Sequence, residues 1–404
     1  MTDFPTSLLF DDARDLLRKV AASHRLPIDH VALARAHGRV LAEHIVAPIA
    51  LQPFHNSAMD GYACRHADLC EGDGVSLTLV GEQFAGRTLG LQVGEGECVR
   101  ITTGAPMPAG ADTVVMREDT SVNGSSISLR PGVRMGANVR KAGEDAQPGD
   151  LVLRAGTLLN AVHVSLAASL GIERLPVSAK PTVAVFTTGD ELVEPGMPLQ
   201  VGEIYNSNRE LLMGLLRAEG LEPVAWPTLP DDPVRIAAML QDAASSFDVV
   251  ITCGAVSAGE KDHIPAMLHA HGSVHFWKVR MKPGMPLLAG TLDRAQFLGL
   301  PGNPVSVLAT FLTLGRSLID GLQGRAGRPH RYARLRTAID KSHPRREFVR
   351  GTLESDESGT LWVTPNAATG SHRLRAAADA NALLVLAEGM QSLAAGEVVE
   401  VLTF

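Results

Sequence analysis

From residue 181 onward the chain alternates two hydrophobic rhythms. Continuous apolar runs such as "PTVAVFTTG" and "DVVITCG" are separated by "SNRELLMGLLRAEG" and "PVRIAAMLQDAASSF", where apolar residues return every three or four positions. Unbroken Val and Ile runs read as strands buried on both faces, and the amphipathic stretches as the helices that cover them. The pattern predicts an α/β/α domain with a mostly parallel sheet. The run "EPVAWPTL" adds a strand, and "VHFWKVRMKPG", "AQFLGLPGN" and a long helix extend the domain to residue 327.

Upstream the texture differs. "SLLFDDARDLLRKVAASH" has helical spacing with Ser7 placed as N-cap, and "NAVHVSLAASLG" reads as a short helix capped by Asn160 and closed by Gly171. These two helices are expected to pack together. Between residues 51 and 141, "SLTLVG", "CVRITTG", "DTVVM" and "SISLR" are short β-prone runs broken by turn residues, which predicts a compact β domain. "GLQGRAGRPH" has linker composition, and "RYARLRTAI", "EFVRGTLES", "TLWVTP" and "GEVVEVLTF" predict a small C-terminal β domain over 328–404.

Composition narrows the class. A chain of 404 residues suggests two to four domains, and 39 glycines and 24 prolines fit its many loops. A formal net charge of −7 gives no basic excess, so neither nucleic acid nor an acidic membrane is expected as partner. Cys64, Cys70, Cys98 and Cys253 form no C-x-x-C pair, which favours reduced thiols over a disulfide framework or a zinc site. The segment "MTDFPTSLLFDD" lacks signal-peptide features and no stretch reaches a membrane-spanning apolar length. A cytoplasmic protein is expected.

In an open α/β sheet, ligands sit beyond the carboxyl ends of the strands. That rule selects "TTGDEL", "TCGAVSAGEKDH", "RMKPGMP" and "GLPGNPVS". In the second, glycines and a serine before a helix can offer N–H donors to a phosphate, or can form an ordinary turn. The acids of "TTGDEL" can complement a helix dipole. Lys278, Arg280 and Lys282 can be a solvated strand face, although Pro283 and Gly284 leave Lys282 projecting at the strand end. "SAMDGYA" reads by composition as an Asp-Gly hairpin turn. In "GLPGNPVS", Gly302 permits close backbone approach, Asn303 is placed as N-cap, Pro304 at the first helical position and Ser306 in the first turn. His269, His271 and His275 do not make a convincing metal set, since the first two fall in the last turn of a helix. These readings stop at binding, or cleaving, an anionic ligand with a divalent metal.

Taken in order, "NSAMDGYA", "RITTGAPMPAGADTVV", "RKAGEDAQPGD", "TTGDEL", "GEIYNSN", "LPDDP", "GAVSAGEKD", "WKVRMKPGMP", "GLPGNPVS" and "GSH" resemble the molybdopterin molybdenumtransferase family, called MoeA in bacteria. The resemblance implies a discontinuous first domain (1–50 and 142–180), an inserted β domain (51–141), a molybdopterin-binding α/β domain (181–327) and a C-terminal β-barrel-like domain (328–404). It also implies a homodimer whose active site joins the α/β domain of one subunit to the β domain of the other. The implied reaction joins molybdate to adenylylated molybdopterin, with Mg2+, and releases AMP. Further partners implied are a pterin adenylyltransferase and a recipient molybdoenzyme or its chaperone.

Carried onto this sequence, the family's functional acids fall on Asp60, Asp145, Glu191, Asp231 and Asp262, with Glu191 and Asp262 on Mg2+. Thr103, Lys278 and Lys282 complete the implied catalytic set. Binding positions are Arg140, Gly254, Ser257 and Gly259 in the loops, and Pro283, Gly302 and Asn303 beside the oxyanion. Ser306, Arg350 and Ser371, with Lys282, are the implied molybdate contacts. Two departures stand out. "KPGMP" puts Met285 where the family has a second lysine, and "GAVS" puts Ala255 where it has a glycine. A pterin adenylyltransferase or nucleotide pyrophosphatase of related fold would lack the "MDGYA" and "TTGAPMP" segments. A non-catalytic pterin carrier would not need the full set of acids and lysines.

Overall fold

The structure is a computed structural model and describes residues 4–69, 74–257, 259 and 262–404. Its centre is a seven-stranded sheet in the order Thr6–Leu8, Ser273–Val279, Leu288–Leu292, Ala295–Leu300, Val249–Cys253, Val183–Thr187, Val224–Ala225. The strands Val183–Thr187, Val249–Cys253 and Ala295–Leu300 are buried along their whole length, as their unbroken apolar runs require. Four of the six neighbouring pairs are parallel, so the sheet is mostly parallel. The exception is a meander through Leu288–Leu292, a strand the hydrophobic pattern did not separate from its neighbours. It turns into Ala295–Leu300 through Asp293 and Arg294, with Asp293 at φ 50°, a left-handed position that a short polar side chain tolerates.

Helices Phe10–Ser23, Ser207–Ala218 and the continuous helical stretch Pro304–Gln323 cover one face, with Leu17, Leu212, Leu216, Leu308 and Leu318 in the core. Pro233–Ser246 and Ile264–His271 cover the other, around Ile236, Leu240, Leu268 and Phe297. The stretch Pro304–Gln323 is long and apolar enough to cross a membrane, but 78% of its most apolar window is buried here, as in a core helix. It changes to π-helical pitch over Phe311–Gly315.

The N-terminal helix does not pack on the short helix Ala161–Ser169. Residues Thr6–Leu8 join the edge of the large sheet, the helix starts after Leu9, and Ser7 lies at φ 56° rather than capping it. The buried stripe Phe10, Ala13, Leu17, Ala21 needs a broad apolar partner, and Pro304–Gln323 supplies it. Contact is close because residue 321 is glycine: a Cβ there would lie 2.5 Å from that of Ala21. Helix Ala161–Ser169 packs instead with Ala36, Leu41, Leu153 and Leu175. It is capped as expected, Asn160 accepting from the His163 amide at 3.0 Å and Gly171 lying at φ 74°.

Residues 56–129 contain a second, six-stranded sheet in which Gly61–Cys64 is an interior strand between Thr113–Met116 and Glu97–Ile101. Asp60 and Gly61 therefore open a strand and do not form a hairpin turn. Glycine is required at 61 for space, since a Cβ would meet the Val115 carbonyl oxygen at 1.9 Å. Cys64 and Cys98 face each other across this sheet as free buried thiols. Burial pushes them up to about 12 and about 11, and so makes them inert. Cys253 is likewise free and buried, and Cys70 lies outside the described residues.

The C-terminal strands Arg331–Leu335, Arg346–Ser355, Leu361–Pro365, Ala382–Leu386 and Val398–Thr403 close into a five-stranded barrel. A short strand, Met281–Lys282, leaves the large sheet and pairs in parallel with Arg346–Glu347 of this barrel. Lys282 is thus held at the junction of the two units. The segment with linker composition is also tied down. Arg328 bonds Glu219 at 2.5 Å and Asp320 at 2.7 Å, and Arg316 bonds Glu219 at 2.6 Å. Arg346 completes the junction with two 2.8 Å bonds to Asp11 and one to Glu388.

Candidate active site

Two cavities lie side by side at the carboxyl ends of the central strands, and Pro286 and Pro301 line both. The first, about 400 Å³, gathers Glu191, Asp231, Asp262, Gly254, Ser257 and Gly302. The second, about 450 Å³, gathers Lys282, Pro283, Asn303, Ser306, Arg350 and Ser371. Residues separated by up to 180 positions in sequence therefore meet along one shared wall.

The first cavity is built for close backbone approach. Gly254 sits at φ 103°, where a Cβ would come within 2.4 Å of the Thr188 hydroxyl, and the Cβ position of Gly302 lies 3.7 Å from the Gly254 Cα. The ends of two neighbouring strands thus approach closely through glycines at the cavity. Asn208 donates from Nδ2 to the Gly302 carbonyl at 2.6 Å, and Asn206 caps its helix while donating to Thr187 at 2.8 Å. Neither asparagine was singled out from the sequence, although both lie in "GEIYNSN". Asp262 accepts from the Gly259 amide at 2.7 Å. Ala255 occupies φ 53°, a left-handed position that favours glycine. Lys278 lies outside both cavities, its Nζ 4.3 Å from the centre of the Trp277 ring. The Trp277 indole in turn donates to the carbonyl of Val256, a residue of the first cavity.

The second cavity is cationic. Lys282, Arg345 and Arg350 line it against one carboxylate, Glu347. Lys282 pairs with Glu347 at 2.9 Å, and the other Glu347 oxygen lies 3.0 Å from His343 Nε2. Burial, and then the charges of Lys282, Lys341 and Arg345, hold the His343 imidazole below its ordinary pKa despite Glu347. Arg350 is buried and fixed by the carbonyls of Arg373 at 2.8 Å, Gly370 at 3.2 Å and Ala368. Burial and the Arg373 charge bring it down from its usual value, yet a guanidinium stays charged at any physiological pH. Glu347 and Arg345 were passed over in the sequence because "RREFVRG" reads as strand.

Asn303 makes no side-chain bond to its helix, contrary to its expected role as a cap, although Pro304 does occupy the first turn. Ser306 is 4% exposed. Replacing Ser306 by alanine is expected to weaken oxyanion binding about three- to tenfold, the worth of one neutral hydrogen bond, with a smaller effect on folding. Titration calorimetry and thermal unfolding of the same variant check both halves.

Four further residues lie apart from these cavities within the chain. Asp60 accepts from the Thr103 amide at 2.7 Å and its hydroxyl at 2.8 Å, which together hold the exposed carboxyl below its ordinary value. Arg140 is exposed on a two-residue strand paired with Asn56–Ser57, and Asp145 lines a separate hollow beside Leu51 and Asp150.

A strand-end cavity with acids and glycines, sharing a wall with a cationic pocket, defines the candidate active site of an α/β enzyme. Sequence families agree. Residues 8–171 match the "MoeA N-terminal region (domain I and II)", 184–321 a "Probable molybdopterin binding domain" and 332–404 the "MoeA C-terminal region (domain IV)". The chain belongs to the MoeA family. It is 39% identical over 380 residues to the molybdopterin molybdenumtransferase of Haemophilus influenzae, covering 93% of this chain and 94% of that protein. Identity to molybdopterin molybdenumtransferase 2 of Mycobacterium tuberculosis is 37% over 382 residues, with 92% and 94% covered. The crystal structure of the molybdopterin biosynthesis moeA protein of Pyrococcus horikoshii OT3 superposes with a TM-score of 0.85 at 29% identity, over 98% of this chain and 100% of that one.

Proposed function

We propose that the molybdenum insertion for which this family is named proceeds here from molybdate and adenylylated molybdopterin, with AMP as leaving group. The observation that carries this reading is the shared wall of Pro286 and Pro301 between an acidic, glycine-lined cavity and a cationic one. The pterin phosphoanhydride occupies the first, where Gly254 and Gly302 allow close backbone approach and Ser257 lines the wall. Molybdate occupies the second, where Lys282 and Arg350 supply charge and Ser306 and Ser371 supply hydroxyls. Holding both reactants against one wall makes their encounter effectively intramolecular.

Mg2+ fits the first cavity as a substrate-dependent ion. Among the described residues no three acidic, histidine or cysteine side chains are close enough to hold a metal by themselves. Glu191 and Asp262 nonetheless line the same cavity with hard oxygen donors, and Mg2+ commonly takes one or two carboxylates together with substrate phosphates. When bound there it would neutralise charge on the phosphoanhydride. Asp231, on the same cavity wall, adds negative charge that disfavours an anion arriving without the metal.

Incubating the purified protein with adenylylated molybdopterin, molybdate and Mg2+ tests the reading. AMP release that depends on both molybdate and Mg2+ is expected. Tight pterin binding with no AMP would mark a carrier instead. Asp60, Thr103, Arg140 and Asp145 fit this reaction as contributions from the second subunit of a homodimer. Mixing Asp60→Ala and Lys282→Ala subunits is then expected to restore about a quarter of the wild-type activity, because half the dimers carry one intact site of two. No recovery on mixing would return Asp60 to a purely structural role.

A further inference from the structure

In the cationic cavity, two of the three positive charges also have partners within the protein. Lys282 is paired with Glu347, and Arg350 is bonded to three main-chain carbonyls. Arg345 differs. It is half-buried and lines the same cavity, yet among the described residues no carboxylate lies within ion-pair distance of it. Its recorded polar contact is a long one, 3.9 Å from Nη1 to the sulfur of Met285. A guanidinium that lines a cavity without a counter-anion keeps its N–H donors available to an anionic ligand there. Met285, where the resemblance implies a second lysine, is 41% exposed and lies at the same cavity.

We infer that Arg345 is a specificity-determining molybdate contact in this chain, supplying from the barrel the positive charge that Met285 no longer supplies from the "KPGMP" loop. This rests on the assignment of the cationic cavity to the oxyanion. A guanidinium is suited to the exchange because its planar fork can give two N–H bonds to one tetrahedral oxyanion, where an ammonium acts as a point charge. The soft thioether of Met285 is only a weak acceptor, so its long contact with Nη1 is readily exchanged for an oxyanion. Arg345 lies immediately before the strand Arg346–Ser355, two residues ahead of Glu347, the strand partner of Lys282. The two cations therefore reach the cavity from a short strand and from the bend that leads into its neighbour.

The test is the steady-state response of AMP release to molybdate in Arg345→Gln, Lys282→Ala and the double variant Arg345→Gln/Met285→Lys, with thermal unfolding as the folding control. Arg345→Gln is expected to raise the molybdate KM about thirty-fold, as loss of a charge-assisted contact does, with a far smaller change in kcat and in the KM for the pterin. Arg345→Lys should fall between, and Met285→Lys should bring the Arg345→Gln variant back to within about threefold of wild type. A molybdate KM unchanged in Arg345→Gln but raised in Lys282→Ala would overturn the inference and leave the function intact. No change in either variant would overturn both. A defect that Met285→Lys fails to reduce would overturn the exchange of one cation for the other.

Discussion

Replacing Lys282 by alanine is expected to raise the molybdate KM on the order of a hundred-fold, with thermal unfolding lowered by at most a few degrees. Two effects act together. A charge-assisted contact to the oxyanion is lost, and the Glu347 carboxylate, 2.9 Å from Lys282 in the native pocket, is released to repel the incoming dianion. The stability effect stays small because the Lys282 side chain is 36% exposed, where an ion pair contributes little. Steady-state kinetics in molybdate, alongside calorimetry of unfolding, separate these two effects. Lys282→Ala with an unchanged KM would remove the lysine from the oxyanion site.

Replacing Glu219 by alanine is expected to destabilise the protein by about 3–5 kcal/mol while leaving both cavities chemically intact. Its side chain is 6% exposed and binds Arg316 and Arg328, so its removal strands the partly buried Arg316 guanidinium and leaves Arg328 with Asp320 alone. Burial alone would raise the Glu219 carboxyl, but hydrogen bonding and charge from Arg328, followed by Arg316, bring it below the usual value. A depressed carboxyl pKa stabilises the fold above the unfolded value of 4.5 and loses that contribution as pH falls through the lower folded value. The stability gap between wild type and Glu219→Gln should therefore be full at pH 7 and shrink below about pH 4.5. Urea unfolding at both pH values measures it. A gap that did not change with pH would place the effect in packing and not in charge.

What the sequence revealed follows from what each signal encodes. The buried strands Val183–Thr187 and Val249–Cys253 were legible because double-sided burial leaves them apolar except for Thr187 and Thr252. The strand Leu288–Leu292 was not, since nothing but a two-residue turn separates it from the next apolar run. Gly61 misled for a related reason. Asp-Gly commonly marks a hairpin turn, whereas here the missing side chain makes room for a carbonyl of the neighbouring strand. The N-terminal helix was legible as a helix, but its partner was not, because a stripe of apolar residues does not name the surface that covers it.

The site divides in the same way. Strand-end position and the resemblance together found Glu191, Asp231, Asp262, Lys282, Ser306, Arg350 and Ser371, and the fold brings these to two adjoining cavities. Glu347 and Arg345 enter only through the pairing of Met281–Lys282 with Arg346–Glu347, a contact between units that no local pattern records. Asn303 was placed correctly at a helix start, yet its side chain serves no cap.

The central claim is that the phosphoanhydride and the oxyanion occupy different cavities across one wall. A crystal soaked with AMP, Mg2+ and tungstate, the last as a heavy stand-in for molybdate, tests it most directly through the anomalous signal of the metal. The account predicts a tungsten peak among Lys282, Ser306, Arg350 and Ser371, with AMP phosphate on the other side of Pro286 and Pro301 beside Glu191 and Asp262. Tungsten among the acids, or AMP phosphate against Lys282 and Arg350, would contradict it.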